Sequence, residues 1–270
     1  MLIDLTYPIH EGMFKYYSDA EAKISVSSAE ISEGVPAIVD NAIRNSYGCS
    51  GAYEAFKEGV YRSGYAELKI RSHHGTHIDA PSHKIKDGKK IDCYPVEKFI
   101  NQCCLVDLTS SDLLRRKKRE ISIEDLVSNG EFMQQKNATS LILYTGFCDE
   151  LVRNKGINYE DKEAFEKNFP YLSEDASRFI VDKNPRLNLL GIDSFSVDRC
   201  GSNSEVHRFL FENDVLPLET LFNLRELRKG LLKRSETFFN SLGWGNFVLY
   251  SVPLNYSQGD AAQTRAYAGV

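Results

Sequence analysis

The sequence predicts one mixed α/β domain that spans residues 1–270. Segments typical of β-strands alternate with segments typical of helices, and neither an internal repeat nor a low-complexity linker divides the chain. A chain of 270 residues is long enough to bury a substantial core. Its apolar and charged fractions, 42% and 26%, are ordinary for a globular protein. Together these observations favour the α/β class.

The individual elements follow from local patterns taken in chain order. Strand candidates combine apolar runs or apolar–polar alternation with flanking turn residues. They cover residues 2–5, 22–32, 66–71, 103–108, 140–146, 187–193, 215–218 and 247–252. Helices are predicted at 96–100 and 206–212, after Ser122, where a capped start is expected, and from Ser173.

Composition excludes several classes of function. The net charge of −5 gives no support for nucleic-acid binding. No apolar run approaches the roughly 18 residues needed to span a bilayer, and residues 1–4 do not open a signal peptide. The cysteines include no CxxC pair, so we expect free thiols in a reducing cytoplasm. The basic run 115–119 is expected to be a solvated face, and the expected partner is a small molecule.

The residues able to do chemistry are concentrated between positions 73 and 83. Four of the six histidines of the chain lie in this stretch, with Asp79 among them. Imidazole nitrogen and carboxylate oxygen are the usual protein ligands of zinc, manganese and iron. The sequence therefore predicts a metal site here.

Local geometry indicates which of these side chains converge. His77 and Asp79 point the same way in an extended chain, and a bend at Gly75 would bring His73 towards them. Asp79 has two oxygens, so it can hold one ion or bridge two that lie roughly 3.5–4 Å apart. His74 is the spare histidine, expected on the surface or behind the ligands.

The pattern His73-x-Gly75-Thr76-His77-x-Asp79-Ala80-Pro81-x-His83 resembles the signature of the metal-dependent cyclase family, which includes bacterial kynurenine formamidase and isatin hydrolase. The resemblance continues almost to both ends of the chain, in residues 4–9, 191–198, 207–208, 216–219 and 265–268. It implies a swivelling β/β/α fold with a mixed sheet or barrel-like core.

The resemblance also implies a set of ligands and a proton carrier. The expected metal ligands are His73, His77, Asp79, His207 and Glu219. Asp79 would bridge an ion held by His73 and His77 to a second ion held by the other two. His83 would be the general acid–base, since a pKa of about 6.5 suits proton transfer near neutral pH, and its competing role is a further ligand. One or two ions are expected, with zinc or manganese preferred.

Two segments depart from the compact members of the family. Residues 33–65 form a longer stretch, interpreted either as an amphipathic helix on the core or as a lid with glycine hinges. The helix interpretation is based on four apolar residues at helical spacing: Tyr53, Phe56, Val60 and Tyr61. Residues 14–19 replace the loop that family members usually place near the substrate, so the resemblance does not name the substrate.

The leading hypothesis for function is a metal-dependent hydrolase. It would cleave a C–N acyl bond of a small amide, aryl formamide or lactam, with an aromatic substrate expected, through metal-activated water. Two alternatives stay open: a cyclase or lyase that stabilises an enolate, and a catalytically silent ligand-binding protein of the same fold. The resemblance further implies a homodimer or homotetramer.

Overall fold

The computed structural model describes residues 1–9, 13, 15, 22–30, 62–128, 138–153, 168–237 and 246–270. The chain forms two compact units, one of residues 1–20 with 71–270 and the other of residues 21–70. Most of the long segment, residues 33–61, lies outside the described residues. A single domain over the whole chain stays a prediction.

The smaller unit contains one antiparallel pair of strands, β2 (Lys23–Glu30) and β3 (Arg62–Lys69). The sequence predicts both strands, but β3 begins before residue 66. Residues 62–65 are strand rather than helix, and the interpretation of the segment as a helix or a lid stays a prediction. The cause of the early start is the pairing itself, because all eight residues of β3 lie opposite β2 and their ladder overrides the local pattern.

The larger unit is built on a mixed β-sheet. Its strands are β1 (Leu2–Asp4), β4 (His77–Asp79), β5 (Ile100–Asp107), β6 (Glu120–Ile121), β7 (Ser140–Tyr144), β8 (Tyr171–Leu172), β9 (Leu189–Ile192), β10 (Leu216–Glu219), β11 (Asn246–Tyr250), β12 (Ala261–Gln263) and β13 (Tyr267–Gly269). Nine of them form one sheet in the order β1-β13-β11-β5-β7-β9-β10-β4-β12, while β6 and β8 pair separately. The neighbours from β5 to β10 are parallel and the outer pairs are antiparallel. The predicted α/β class with a mixed sheet is confirmed.

Two of the five helices in the described part of the larger unit begin where the sequence predicts caps, whereas the sequence did not predict Phe147–Arg153 and Leu224–Thr237. The five helices are α1 (Ile123–Ser128), α2 (Phe147–Arg153), α3 (Glu174–Lys183), α4 (Glu205–Glu212) and α5 (Leu224–Thr237). At the start of α1, the Ser122 N–H donates to the Asp125 carboxylate at 2.9 Å, and the Asp125 N–H donates back to Ser122 Oγ at 3.4 Å. Ser173 Oγ accepts from the Ala176 N–H at 3.1 Å before α3. Segment 96–100 forms a short 3-10 helix, Val96–Phe99.

The central parallel strands are buried on both faces, because alternate side chains enter two separate apolar cores. Leu105 and Ile142 belong to the core that α5 covers, through Leu227 among others. Val106 and Leu143 belong to the core that α1 and α3 cover. The helices therefore lie on opposite faces of the sheet, as α/β folds require.

The sheet curls, because the chain that follows β1, at one edge of the sheet, contacts the chain that follows β10, near the other edge. Thr6 forms an antiparallel bridge with Leu221, which follows β10. Beside this bridge, the Phe222 N–H donates to the Leu5 carbonyl at 2.8 Å. β1 and β10 are separated by five strands in the sheet order, so this contact rolls the sheet into the half-barrel that the resemblance implies.

The basic run 115–119 is only partly the solvated face that the sequence predicts. Arg116 donates two hydrogen bonds to the Asp125 carboxylate, at 2.6 and 2.8 Å. Arg119 is buried and pairs with Glu150 at 3.2 Å. Both acidic partners reach these guanidinium groups only through folding, so the local pattern could not reveal them.

Two further features bear on the kind of protein this is. Within the described ranges, no helix combines the length and the apolar character needed to cross a bilayer. The five cysteines of the same ranges are free thiols, as the sequence predicts.

Candidate metal centre

The predicted ligands lie on separate elements of the larger unit and converge through strand pairing. His73 precedes β4, His77 and Asp79 are the two ends of β4, His207 lies in the first turn of α4, and Glu219 ends β10. The antiparallel register of β4 with β10 places Glu219 directly opposite His77. Residues opposite each other in a ladder share a face of the sheet, so these two side chains meet.

Gly75 makes the bend that the sequence predicts between His73 and His77. Its φ of +69° lies in the left-handed region that favours glycine. A Cβ at this position would lie 3.2 Å from the Tyr7 carbonyl oxygen. The bend brings the centres of the His73 and His77 rings to 5.0 Å from one another.

Asp79 lies at the centre of the cluster. Its Oδ1 is 2.8 Å from His73 Nδ1 and 3.3 Å from His77 Nε2, whereas its Oδ2 is 2.9 Å from His207 Nε2. The Glu219 carboxylate faces two of the same rings, at 3.5 Å from His77 Nε2 and 3.4 Å from His207 Nε2. Each Asp79 oxygen faces different nitrogens, which is the arrangement expected of a carboxylate that bridges two ions.

Each of the three clustered histidines has one ring nitrogen facing the carboxylates and the other held from outside. The outer partners are the Asp260 carboxylate for His73 at 3.1 Å, the Gly75 carbonyl for His77 at 2.9 Å, and the Asp198 carboxylate for His207 at 2.5 Å. An acceptor on one nitrogen holds the proton there, so the inward nitrogen is free to be a ligand. Metal-binding histidines are typically held in this way.

Asp198 also fixes the helix that carries His207. Its carboxylate accepts from the Val206 N–H at 3.0 Å and from the His207 N–H at 3.2 Å, both at the start of α4. A negative charge at this position interacts favourably with the helix dipole. One side chain therefore sets both the start of α4 and the orientation of the His207 ring.

Two buried atoms of the cluster have no hydrogen-bond partner among the described residues: His77 Nε2 and Asp79 Oδ1. The 2.8 Å approach of His73 Nδ1 to Asp79 Oδ1 does not have hydrogen-bond geometry. Asp79 is 0% exposed and Glu219 is 3% exposed. Buried carboxylates need hydrogen-bond donors or a cation, and a donor set of imidazole nitrogen and carboxylate oxygen fits a divalent ion.

The pKa values of the clustered side chains also indicate that the two carboxylates need positive charge beside them. Burial lowers the pKa of His77, but the Asp79 charge outweighs it and raises that pKa to about 10. The same balance raises the pKa of His73 to about 9. Burial and Asp79 both act to raise the pKa of Glu219, yet the facing rings of His207 and His77 bring that pKa down to about 2. Without a metal, protons on the rings supply the charge that the carboxylates need.

His83 lies beside the cluster rather than within it. Its ring centre is 4.1 Å from that of His73 and 5.7 Å from that of His207. The side chain is 21% exposed and lines a cavity of about 490 Å³ that His73, His207 and Glu219 also line. Burial lowers the pKa of His83. Its nitrogens also lie close enough to Asp79 and His207 for a shared ion, so the geometry accommodates both roles predicted for it.

The spare histidine, His74, is buried with 1% of its surface exposed, which corrects the surface position that the sequence allowed. Its Nδ1 accepts from the Arg71 N–H at 3.3 Å, so it holds the turn that presents His73. Of the unusual loop 14–19, only Lys15 is described; it is buried and lines the cavity.

Sequence reasoning missed two carboxylates, Asp198 and Asp260. Asp198 ends the family-like segment 191–198, which was the only signal pointing to it. Asp260 has no local signal, since the pairing of β12 with β4 alone brings it to the histidines.

Comparison with known proteins identifies one family. The family model described as "Putative cyclase" matches residues 3–199. The chain is 23% identical over 201 residues to the kynurenine formamidase of Bacillus cereus, covering 74% of this chain and 77% of that one. In structure it is similar to isatin hydrolase A from Labrenzia aggregata, with a TM-score of 0.66, 15% identity and coverage of 99% and 93%. It is also similar to a structure described as a novel cyclase, with a TM-score of 0.71, 17% identity and coverage of 100% and 88%. The chain belongs to the cyclase family.

Proposed function

We propose that this protein is a metal-dependent hydrolase that cleaves a C–N acyl bond of a small amide, aryl formamide or lactam. The observation that carries the proposal is the buried cluster around Asp79, in which inward-facing imidazole nitrogens meet two carboxylates and two atoms have no partner. The relatives named kynurenine formamidase and isatin hydrolase support hydrolysis at a C–N bond over the enolate chemistry of a cyclase or lyase. The intact set of five candidate ligands argues against a silent binding protein.

The proposed ligands divide between the two oxygens of Asp79. His73 and His77 would hold one ion with Oδ1, while His207 and Glu219 would hold a second with Oδ2. We prefer zinc or manganese, since the set contains nitrogen and oxygen but no thiolate. An ion held there lowers the pKa of water from about 15.7 to roughly 7 and polarises an acyl oxygen.

The protein's own residues would bind the substrate and move the proton. His83 lines the cavity next to the cluster, and the burial that lowers its pKa favours the neutral ring. A neutral ring can take a proton from the attacking water and return it to the leaving nitrogen. Phe195 offers an aromatic ring in the same cavity, which supports a small aromatic amide or lactam as substrate.

The first experiment measures metal content per chain on protein purified without chelator. We expect about two ions in the wild type and one in Glu219→Ala, with hydrolysis of an aryl formamide or a lactam by the wild type. Asp79→Ala should lose metal and activity together, whereas His83→Ala should keep metal and lose activity. The control is Glu226→Ala, which removes an exposed carboxylate in the first turn of α5 and should keep the metal content and activity of the wild type.

Three outcomes would change the proposal. No bound metal after reconstitution with zinc or manganese would remove the catalytic interpretation. A wild type that binds one ion, with the same content in Glu219→Ala, would refute the proposed second ion. Loss of metal from His83→Ala would make His83 a ligand.

We also propose a cytoplasmic homodimer or homotetramer, as the family resemblance implies, and light scattering after gel filtration measures the assembly.

A further inference from the structure

Asp260 has a fixed position beside the cluster without belonging to the predicted ligand set. It immediately precedes β12, and the register of β12 with β4 places Ala261 opposite Asp79. The Asp260 carbonyl accepts from the Ala80 N–H at 2.9 Å, so the backbone is held on the strand that carries the ligands. Its side chain lines the same cavity.

Three side chains converge on the Asp260 carboxylate. Ser72 Oγ donates to Oδ1 at 2.9 Å. Oδ2 lies 3.1 Å from His73 Nε2 and 3.5 Å from His83 Nδ1. Ser72 and His73 therefore fix the carboxylate. The fixed carboxylate presents Oδ2 to Nδ1 of His83, the proposed proton carrier.

We propose that Asp260 is a positioning residue for His83. By accepting the Nδ1–H of His83, it keeps the proton on that nitrogen and leaves Nε2 as the nitrogen that exchanges a proton with water and substrate. It also holds the ring of His83 at a set distance from His73, because a nitrogen of each ring lies close to Asp260 Oδ2. This inference rests on the proposed role of His83 as the proton carrier.

The opposing possibility is that Asp260 is itself a metal ligand. One ligand atom from each of His73, His83 and Asp260 lies within 4.8 Å of the others, so the three are close enough to hold an ion. The 44% exposed carboxylate and its hydrogen bond from Ser72 favour positioning, because a ligand of the buried cluster would face Asp79 rather than the cavity. Metal content separates the two roles.

The test is a double-variant cycle with Asp260→Asn and His83→Ala, measured on enzyme saturated with zinc or manganese. At saturating zinc or manganese we expect Asp260→Asn to keep full metal occupancy and its KM while kcat falls about 10–100-fold, the usual effect of removing the partner that orients a histidine. Asp260 also holds the outward nitrogen of His73, so retention of metal against a chelator should weaken as well, and kcat is therefore compared at saturation. In the His83→Ala background, Asp260→Asn should cause no further loss, since the ring it positions is gone. Asp260→Glu should recover part of the lost kcat.

The control is Asp92→Asn. The Asp92 carboxylate accepts from the Gln258 N–H in the turn that precedes Asp260, so this variant disturbs the same turn without touching the histidines. It should retain the kcat of the wild type. Loss of kcat in this control equal to that of Asp260→Asn would assign the effect to the turn and overturn the proposal.

The remaining outcomes each decide the question. An unchanged kcat in Asp260→Asn, incomplete metal occupancy at saturating zinc or manganese, or full additivity with His83→Ala would overturn the positioning role while leaving His83 as the proton carrier. An unchanged kcat in His83→Ala would overturn the proton role of His83 and this inference with it. The two failures are therefore distinguishable.

Discussion

Removing the metal should make the stability of this protein fall as the pH rises above neutrality. In the metal-free cluster, burial lowers the pKa of both rings, but Asp79 outweighs it and the values become about 9 for His73 and about 10 for His77. In the unfolded chain a histidine titrates near about 6.5. The folded chain thus binds protons that the unfolded chain releases. The stabilisation is complete below about pH 6.5 and is lost as the pH rises through about 9 to 10.

The size of the loss follows from the shifts. One pKa unit corresponds to about 1.36 kcal/mol, so the rise for His73 from 6.5 to about 9 is worth on the order of 3 kcal/mol. His73 and His77 both depend on the charge of Asp79, so their contributions do not add, and we expect on the order of 3 kcal/mol for the pair. That is a large part of a typical stability of roughly 5–15 kcal/mol. The lowered pKa values of Asp79 and Glu219 place their titration below this window.

Urea unfolding at several pH values between about 6 and 10 measures the effect on chelated and metal-reconstituted protein. The chelated protein should lose stability across this range, whereas the reconstituted protein should lose less, because an ion replaces the protons on the inward nitrogens. Asp79→Asn should reduce the slope of the chelated protein, since it removes the charge that raises the pKa values of His73 and His77. Part of the slope should remain, because Asp198 also raises the pKa of His207. His83→Gln is the matched control and should leave the slope above about pH 7 unchanged, because the lowered pKa of His83 places its titration below that range.

A chelated protein whose free energy of unfolding stays constant or rises between about pH 6 and 10 would refute this reasoning. The rings would then be neutral in the metal-free fold, and the carboxylates would need another source of positive charge. An unchanged slope in Asp79→Asn would refute the part assigned to Asp79 alone.

Two further predictions concern residues that support the cluster. Asp198→Asn should weaken metal retention about 10–100-fold in competition with a chelator, because it releases the outward nitrogen of His207, and retention equal to wild type would contradict the orienting role. Gly75→Ala should lower the free energy of unfolding by about 1–3 kcal/mol, since it combines a positive φ with a Cβ 3.2 Å from the Tyr7 carbonyl. Gly201→Ala has a similar φ of +75° in open space, so an equal loss in both variants would leave no role for the close contact.

Much of the fold could be predicted because its signals are local. The apolar runs of β5, β7 and β9 stand out since these strands are buried on both faces. The caps at Ser122 and Ser173 were predictable because a cap involves residues within one turn. The early start of β3 was not, because it depends on a partner strand more than thirty positions away.

In the candidate site, too, the residues that could be predicted from local sequence differ from those that long-range pairing brings in. His73, His77 and Asp79 fall within seven positions, so their convergence needs only an extended strand and a glycine bend. His207 and Glu219 came from the family resemblance, since they meet the others only through α4 and the β4–β10 register. Other functional contacts depend on long-range pairing with no counterpart in a local motif, and a single sequence carries no record of such pairing.

The short strand β4 explains why the site and the fold are difficult to separate. All three of its residues are buried, and it pairs with β10 on one side and β12 on the other, so His77 and Asp79 cannot turn towards solvent. A fully buried strand with two polar side chains in three positions is unfavourable unless those side chains find partners. Glu219 of β10 faces His77, while His73 and His207 face Asp79. These contacts leave an excess of carboxylate charge that only protons or a cation can balance, so ion binding at this cluster would be coupled to the stability of the sheet itself.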